Sequence, residues 1–510
     1  MARALLMQKK GTEEKPTLLA EVFVSSSDST KAVGRAVLSG EARKIGPRLY
    51  TTNQTDAPED IIRRNRWRIV SLLAPGSVIA FRTALEMVPA PDGTIFLSGA
   101  GRHTIDLPGL HLRIVKGPGS LPGDQPFMQD LHIASQGRAL LESLRPSRER
   151  STLSRGLPRA RIEEILEREL QSGGEAKLNR IRDIARALVS NLNAQKEFEV
   201  LTTMIGTLLG SRKGTLVAPV ALARAAGEPY DSSRLDTFQT LHSALTRWPV
   251  VSRPDAPPND FEFSIISFFD AYFSNFIEGT EFEVDEAHEI VFEGKIPEAR
   301  PQDAHDVLGT FRLVGSREFV GRSILDFPAY GAFESALLEA HASVMAVRPE
   351  KRPGEFKKVP NVAGQTIFVA PELIRGTLRH GFEIIRGLAE PFLRAAAIMF
   401  VLSEIHPFDD GNGRIARAFM NAELISGRQR RILIPSVIRD EYLTGLRTLT
   451  RQGHPDPFLK VLDYAQMYTA LVDFSDYDGA TIAMRATNAF ENPSQHMKLR
   501  LPRDVNRGGH

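Results

Sequence analysis

The residue types best suited to chemistry lie together in one stretch of twelve residues, which we call the motif segment (residues 406–417). The segment reads His-Pro-Phe-Asp-Asp-Gly-Asn-Gly-Arg-Ile-Ala-Arg. A neutral histidine can accept a proton from an attacking hydroxyl, and an aspartate is an oxygen ligand that suits Mg²⁺. Glycine lets a backbone approach a phosphate without a Cβ, and arginine offers forked donors to phosphate oxygens. Together these types predict transfer of a phosphate-containing group from a nucleotide to a hydroxyl.

The residues of the motif segment divide between three chemical roles and one structural role. His406 is the predicted general base, and Asp410 is the predicted metal ligand. Phe408 is predicted to anchor the loop to the core. The predicted phosphate-binding residues are Gly411, Asn412, Gly413, Arg414 and Arg417.

The stretches on either side of these residues predict two helices joined by a loop. Residues 391–405 are apolar nearly all round, as in a buried helix, and they open with a proline. Pro407 disfavours helical geometry at His406, so the first helix is expected to end there. A second helix is predicted from about Asn412 to a glycine cap at Gly427. The glycines and arginines therefore lie at a helix N-terminus, where backbone N–H groups bind anions.

The motif segment resembles the signature of the Fic family, His-x-Phe-x-Asp/Glu-Gly-Asn-Gly/Lys-Arg-x-x-Arg. All eight fixed positions are matched, which disfavours the alternative of a chance surface cluster of charges. The resemblance implies AMP transfer from ATP to a Ser, Thr or Tyr hydroxyl of a target protein. It also implies that His406 is the base, that Asp410 holds Mg²⁺ (or Mn²⁺) on the α- and β-phosphates, and that Arg417 reaches the γ-phosphate.

A second pattern, Ser-x-x-x-Glu-Gly, lies upstream at the end of a helix predicted over residues 260–278. Asn259 and Glu262 have the spacing of a capping box at the start of this helix. Aromatic and aliphatic residues at helical spacing predict that one face of the helix is buried. The pattern comprises Ser274, Glu278 and Gly279.

This pattern resembles the inhibitory motif of Fic proteins that carry their inhibitory helix N-terminal to the catalytic motif. The resemblance implies that Glu278 pairs with Arg417 and occupies the donors that the γ-phosphate needs. ATP would then bind in a pose that does not react. The alternative is a plain helix end with an exposed glutamate.

A third feature is a β-hairpin predicted between the inhibitory pattern and the motif segment. Gly364 and Gln365 separate two β-prone runs, and the second run begins at Thr366. The Pro-Gly-Glu-Phe sequence that precedes them also resembles the Fic family. The resemblance implies a flap that pairs with an extended segment of the target protein. A plain surface hairpin is the alternative.

The N-terminal part, over about residues 1–190, resembles the start of AbiEi-type antitoxins and winged-helix regulators. A helix over residues 29–38, capped by Ser27 and Asp28, is followed by a basic segment (residues 41–50) that is predicted to form a hairpin wing. An arginine-rich stretch, residues 63–68, lies on the next predicted helix. The resemblance links the chain to toxin–antitoxin systems and implies DNA as a partner of this module.

The charge distribution agrees with a nucleic-acid partner for the N-terminal half. Residues 1–260 carry 36 Lys and Arg against 28 Asp and Glu, whereas residues 261–510 carry 28 against 34. A mixed solvated surface would give a similar balance. The absence of cysteine excludes disulfides and thiolate sites. The lack of a secretory pattern and of a long apolar run near the motif predicts a cytoplasmic protein that does not enter a membrane.

The expected fold class is mainly α: a Fic helical bundle with a β-hairpin flap, preceded by an α+β winged-helix-like module. Two alternatives keep the same catalytic site. In one the donor is a molecule other than ATP, and in the other the main reaction is the removal of AMP. A third is a DNA-binding regulator whose Fic domain is only a sensor. The expected domains are the N-terminal module (1–155), a helical domain (156–248), a linker (249–259), the inhibitory helix region (260–335), the Fic core (336–472), and a C-terminal helix with a polar tail (473–510).

Overall fold

The computed structural model describes residues 20–27, 29–146, 154–256 and 258–505. Several sequence predictions therefore lie outside the described residues: the N-terminus without a secretory pattern, the cap at Asp28, Pro257 of the linker, and the end of the polar tail. The chain divides into two compact units between Ala225 and Ala226. We describe each unit by itself.

The first unit combines short strands with helices. Its described strands are β1 (Val22–Val24), β2 (Arg43–Gly46), β3 (Leu49–Thr51), β4 (Val78–Ile79), β5 (Thr94–Gly99), β6 (His103–Leu107), β7 (Leu110–Lys116), β8 (Gln125–Pro126) and β9 (His132–Ile133). Its described helices are α1 (Thr30–Leu38), α2 (Pro58–Leu73), α3 (Phe81–Glu86), α4 (Gln136–Leu144), α5 (Arg159–Leu192), α6 (Gln195–Leu208) and α7 (Pro219–Ala225). Helix α5 is broken at Gly174, where φ is +65°.

Two sheets organise the first unit. One is antiparallel with strand order β1-β3-β2, and the other has the order β6-β7-β5-β4-β9-β8 with parallel pairs β5–β7 and β4–β9. Strand β7 alternates buried and half-buried residues, as expected of a strand with one face on a core. The predicted order of helix α1 followed by the β2–β3 hairpin is present. The expected α+β module before the helical domain is confirmed.

The second unit is mainly helical, as predicted. A single hairpin in its described residues, β10 (Val362–Ala363) with β11 (Thr366–Ile367), forms what we call the flap. No helix in the described parts of the chain has both the length and the apolar composition needed to cross a membrane. The described helices of this unit are α8 (Ser232–Leu245), α9 (Asp260–Ile277), α10 (Val284–His288), α11 (Pro301–Val314), α12 (Arg317–Val320), α13 (Tyr330–Val344), α14 (Ile374–Arg386), α15 (Pro391–Ile405), α16 (Asn412–Ser426), α17 (Arg439–Gln452), α18 (Asp456–Leu471), α19 (Tyr477–Ala486) and α20 (Pro502–Val505).

Helices α15 and α16 pack against each other in the second unit. The loop between them comprises the first residues of the motif segment. Helix α15 has the predicted bounds and is buried along nearly its whole length, because its residues are apolar on all sides. Helix α16 begins at Asn412 as predicted and is capped by Gly427, whose φ of −81° is not left-handed. The two helices thus hold the loop between them in the core.

Helix α9 is the predicted inhibitory helix and lies in an aromatic core. Its capping box between Asn259 and Glu262 is present, and the helix ends at Ile277, one residue before the predicted end. Phe269 stacks on Tyr477 of α19, with ring centroids 5.8 Å apart. The C-terminal helix predicted within residues 473–510 is present as Tyr477–Ala486. The tail beyond this helix was predicted to be polar, but two of its leucines, Leu499 and Leu501, are buried.

The division between the units falls inside the helical domain predicted over residues 156–248. Helix α8 packs with the second unit because Phe238 lies against Phe400 of α15, with ring centroids 6.2 Å apart. The predicted linker is also fixed to this unit: Arg253 forms an ion pair with Asp463 at 2.7 Å. The remaining domain boundaries stay predictions.

Candidate functional site

The motif loop (residues 406–411) is held by its own buried side chains. Phe408 is fully buried, and its ring stacks on His341 with centroids 3.7 Å apart. The Asn412 side chain accepts from the Phe408 N–H at 2.8 Å, and its Nδ2 donates to the Phe408 carbonyl at 2.9 Å. The predicted anchor role of Phe408 agrees with this packing. The Asn412 amide, which we expected to face a phosphate, is instead used to close the loop, so only its backbone N–H stays available.

His406 ends helix α15 in the left-handed conformation, with φ of 52°. Its Nδ1 lies 3.4 Å from the Ser403 carbonyl oxygen. Because a carbonyl only accepts, this contact is a hydrogen bond when Nδ1 carries the proton, which leaves a lone pair on Nε2. Burial, and next the charge of Lys357, lower the pKa of His406 to about 4. The ring is therefore neutral at pH 7, as a general base must be.

The residues after His406 lead into the N-terminus of helix α16, where phosphate binding is predicted. Gly411 precedes the helix with φ of 74°, and a Cβ there would lie 2.9 Å from Met345 Sδ. Arg414 is 3% exposed and lies 3.1 Å from Asp306. Its Nε is buried and has no hydrogen-bond partner among the described residues. A buried donor without a partner at a helix N-terminus fits an anionic ligand.

Arg417 is bound by the end of helix α9. Its Nη2 donates to Glu278 Oε1 at 2.6 Å, and its Nε donates to Ser274 Oγ at 2.9 Å. Burial is the largest single influence and raises the pKa of Glu278, but the charge and hydrogen bond of Arg417 together with the charge of Arg414 outweigh it, so the net pKa is lowered. A Cβ on Gly413 would collide with Glu278 Oε1, so this glycine is what lets the carboxylate approach.

Asp410 has the environment expected of a single metal ligand, and Asp409 does not. Oδ1 of Asp410 accepts from the Gly411 N–H at 2.7 Å, and its side chain is 38% exposed. Nε and Nη2 of Arg352 donate to the Asp409 carboxylate at 2.6 to 2.8 Å. In the described ranges, no group of three or more His, Asp or Glu side chains could hold a metal alone. A Mg²⁺ shared between Asp410 and phosphate oxygens fits these residues.

One cavity of about 530 Å³ brings most of the predicted site residues together. Ser274 lies outside its lining and supports Arg417, while Gly279 follows the C-terminal cap of helix α9 with φ of 89°. The other predicted residues that do not line it are Asp410, Gly411, Asn412 and Arg414. The predicted residues that do are Glu278, Gly364, Gln365, Thr366, His406, Gly413 and Arg417.

The flap forms one side of this cavity, and its turn is at the predicted position. Gly364 has φ of 59°, which suits a tight hairpin turn. Arg451 donates to Thr366 Oγ1 at 3.1 Å, and Arg234 of helix α8 donates to the Ile367 carbonyl. Arg234 also pairs with the buried Glu404 of α15.

Sequence reasoning missed several residues around the cavity. Tyr442, Leu446 and Thr450 line it from helix α17, and their spacing of four residues is the signal that could have placed them on one helical face. Arg234 and Glu404 carried no such signal, because their contacts join distant parts of the chain.

Comparison with known proteins places this site in a family. The model of the Fic/DOC family matches residues 333–424, which include α15, the motif loop and most of α16. A Fido domain-containing protein of Dictyostelium discoideum is 33% identical over 103 residues, covering 19% of this chain and 72% of that protein. The chain belongs to the Fic/DOC family. The family assignment predicted from the motif is confirmed.

More distant similarities extend beyond the family match. Protein adenylyltransferase fic-1 of Caenorhabditis briggsae is 25% identical over 198 residues, which are 38% of either chain. The chain thus spans 38% of the length of this adenylyltransferase relative. A solved fragment of Fic-1 from Caenorhabditis elegans is 18% identical with a TM-score of 0.34, covering 64% of this chain and 89% of that one.

Proposed function

We propose that this Fic protein is an adenylyltransferase, which moves AMP from ATP to a Ser, Thr or Tyr hydroxyl of a target protein. The observation that carries the proposal is the grouping of a neutral His406 with Gly413 and Arg417 around one cavity, beside the N-terminus of α16. The relatives named as adenylyltransferases support the same reaction. Their names describe those proteins, and we extend the activity to this chain as a proposal.

The chemistry follows from the positions of the side chains. Nε2 of His406 takes the proton of the target hydroxyl, whose oxygen then attacks the α-phosphorus of ATP. The bond between the α-phosphorus and its bridging oxygen to the β-phosphate breaks, and pyrophosphate leaves. The backbone N–H groups of Gly413 and Arg414, with the Arg414 guanidinium, offset the negative charge of the phosphates. A Mg²⁺ held by Asp410 would add positive charge at the phosphate oxygens.

We further propose that Glu278 keeps the enzyme inhibited. Its carboxylate binds the Arg417 guanidinium at 2.6 Å, inside the cavity where a γ-phosphate would need those donors. A bound nucleotide must then either displace Glu278 or lie in a different pose. Loss of alignment is costly in phosphoryl-group chemistry, because positioning supplies most of the catalysis.

The test is labelling of a cell lysate with ATP that carries the label on its α-phosphate, followed by mass spectrometry of the labelled proteins. The Glu278→Gly protein should label target proteins or itself in the presence of Mg²⁺. Glu278→Gly combined with His406→Ala is the matched control and should not. Absence of transfer by Glu278→Gly with every lysate and metal tried would contradict the proposal.

Two alternatives use the same site and are decided by the same reagents. Transfer from another nucleotide or from a different phosphate donor would appear when the donors are compared side by side. Removal of AMP would appear when Glu278 is intact and a modified target is supplied, because this carboxylate could position a water. The Glu278→Gly variant should then gain transfer and lose removal together.

A second candidate function is DNA binding by the first unit. Lys31 and Arg35 of α1, with Lys44 and Arg48 of the β2–β3 hairpin, are exposed basic residues on the predicted winged-helix elements. Lysine and arginine on a helix and an adjacent hairpin suit contacts to phosphates. A gel-shift with genomic fragments tests this: salt-sensitive binding that is lost in Arg35→Ala supports it, and no shift at low salt contradicts it.

A further inference from the structure

Lys357 is a buried lysine immediately before the flap, and its side chain is 2% exposed. Burial of an ammonium group is costly unless hydrogen bonds satisfy it. Here Nζ donates to Asn361 Oδ1 at 2.6 Å and lies 3.5 Å from the Ile405 carbonyl oxygen. A positive charge is therefore held at the C-terminal end of α15, where helix carbonyls favour it.

The segment from Lys357 to Asn361 binds the backbone on both sides of the proposed base. The Lys357 N–H donates to the Pro407 carbonyl at 2.9 Å. The Asn361 Nδ2 donates to the Phe408 carbonyl at 3.0 Å. With the contact of Lys357 Nζ to Ile405, these bonds involve the carbonyl of the residue before His406 and the carbonyls of the two residues after it.

His406 needs such support because it is left-handed. A residue with a Cβ is unfavourable at its φ of 52°, and the surrounding structure must hold it there. Its ring stacks on Phe368 with centroids 3.9 Å apart and planes 8° from parallel. Lys357 Nζ lies 5.8 Å from the centroid of that phenyl ring. The lysine therefore binds the backbone on either side of His406, at Ile405 and Pro407, and lies beside the Phe368 ring that stacks on the imidazole.

We propose that Lys357 is a positioning residue for the base, which fixes the backbone around His406 and keeps a positive charge beside the imidazole. This inference rests on the proposed function, where His406 is the base. A nearby cation disfavours a second positive charge on the ring, so the lone pair on Nε2 is retained. Neither the motif segment nor the inhibitory pattern includes this lysine.

The charges around both groups agree with this role. Burial first, and then Lys357, lower the pKa of His406, while Glu278 and Asp410 face the ring and act in the opposite direction. Burial lowers the pKa of Lys357 itself to about 8, opposed by the charge of Asp409. Lys357 is therefore mostly protonated at pH 7, when the imidazole is neutral.

The test compares two neighbouring lysines in the Glu278→Gly protein. Lys357→Met keeps the length of the side chain and removes its charge and donors. Its kcat should fall by about 10²-fold, as expected when a catalytic group is displaced, while KM for ATP changes by less than about threefold. Lys358→Met is the control, since its side chain is 67% exposed and pairs with Glu355 on the surface. Equal kcat for Lys357→Met and the parent would overturn the proposal.

Two further measurements separate positioning from general stability. Histidine-ring NMR, assigned with His406→Ala, should show the pKa of His406 rising in Lys357→Met, although burial still holds it below the ordinary value, and staying low in Lys357→Arg. Asn361→Ala keeps the charge, so it should lower kcat without raising that pKa. An unchanged pKa in Lys357→Met overturns the electrostatic part, even if the variant is slow.

The ring titration does not depend on the reaction. If the Glu278→Gly parent transfers no nucleotide, the proposed function fails while the titration still reports on Lys357. If Lys357→Met does not fold, judged by its thermal melting, the kcat and pKa of Asn361→Ala and Lys357→Arg decide the proposal. In that case, a kcat for Asn361→Ala equal to that of the Glu278→Gly parent would overturn it.

Discussion

The motif loop and the flap lie at the same cavity, but they are held in opposite ways. In the loop, Phe408 is fully buried, and side chains hydrogen-bond the backbone at Phe408, Asp410 and Gly411. In the flap, Val362 and Ile367 are 60% and 66% exposed, and two residue pairs form the whole hairpin. The groups proposed for chemistry are thus fixed before a substrate arrives, which preserves alignment. The element proposed for target binding keeps an exposed strand that another chain can join.

Among the changes to the motif loop, His406→Ala should have the largest effect on the rate of transfer. In the Glu278→Gly background, transfer should fall by about 10²–10⁴-fold, as is typical when a general base is removed. ATP binding, measured by calorimetry, should change little because other residues bind the phosphates. Transfer at the parent rate would rule out His406 as the base.

Asp410→Ala tests whether Asp410 is the metal ligand, and the neighbouring aspartate serves as the comparison. Transfer should fall by at least about 10²-fold, and the Mg²⁺ concentration needed for half-maximal rate should rise, because the carboxylate is lost. Asp409→Ala is the control: it breaks the pair with Arg352, so it should lower the melting temperature without changing the Mg²⁺ dependence. Full activity of the parent in excess EDTA would refute the metal assignment.

Glu278→Gly should release the inhibited state. A charge-assisted Arg–Glu contact contributes about 1.5–3 kcal/mol, which corresponds to roughly one to two powers of ten in an equilibrium. Transfer should therefore rise by about 10- to 100-fold over wild type. Glu281→Gly, which removes an exposed carboxylate nearby, should leave transfer unchanged. Equal rates for wild type and Glu278→Gly, with ATP bound alike, would leave Glu278 as a helix-end residue.

The pH dependence of transfer tests whether the pKa of His406 in the motif loop is low. His406 is a base only when neutral, and its pKa of about 4 means that the neutral form persists well below pH 6.5. Between pH 7 and pH 5.5 the Glu278→Gly rate should fall by less than about twofold, whereas an ordinary histidine would lose about eightfold. Stopped-time assays across this range decide the matter. A midpoint near 6.5 would show that the ring is not desolvated in the active state.

The smallest effect is expected on the flap side. A Cβ added to Gly364 meets no atom within 4 Å, so Gly364→Ala should cost only the strain of a left-handed alanine, about 1 kcal/mol. Gly411→Ala carries the same kind of strain and also presses on Met345 Sδ at 2.9 Å, so its loss of unfolding free energy should be larger. Denaturant titration of both variants measures the difference. A larger loss for Gly364→Ala would contradict the description of the flap as loosely packed.

The sequence by itself determined the elements that depend on residues close together in the chain. The apolar stretch of α15, the capping box at Asn259 and the glycine turn at Gly364 each act over a few residues, and each was predicted correctly. The family also followed from local spacing within the motif segment. Periodicity, capping and turn formation are short-range interactions, so they can be read without knowing the fold.

Only the tertiary structure decided which partners those residues have. It made Asn412 a loop-closing residue, assigned Asp409 to Arg352, and brought Lys357 against the end of α15. The pair of Glu278 with Arg417, 139 residues apart, is present as the resemblance to the Fic family implied, although no spacing in the sequence indicates it. Such contacts depend on which helix faces meet, and the periodicity of a sequence shows that a face is buried but not what it is buried against. The residue types that carry the chemistry could therefore be predicted from the sequence, whereas most of the side chains that orient and restrain them could not.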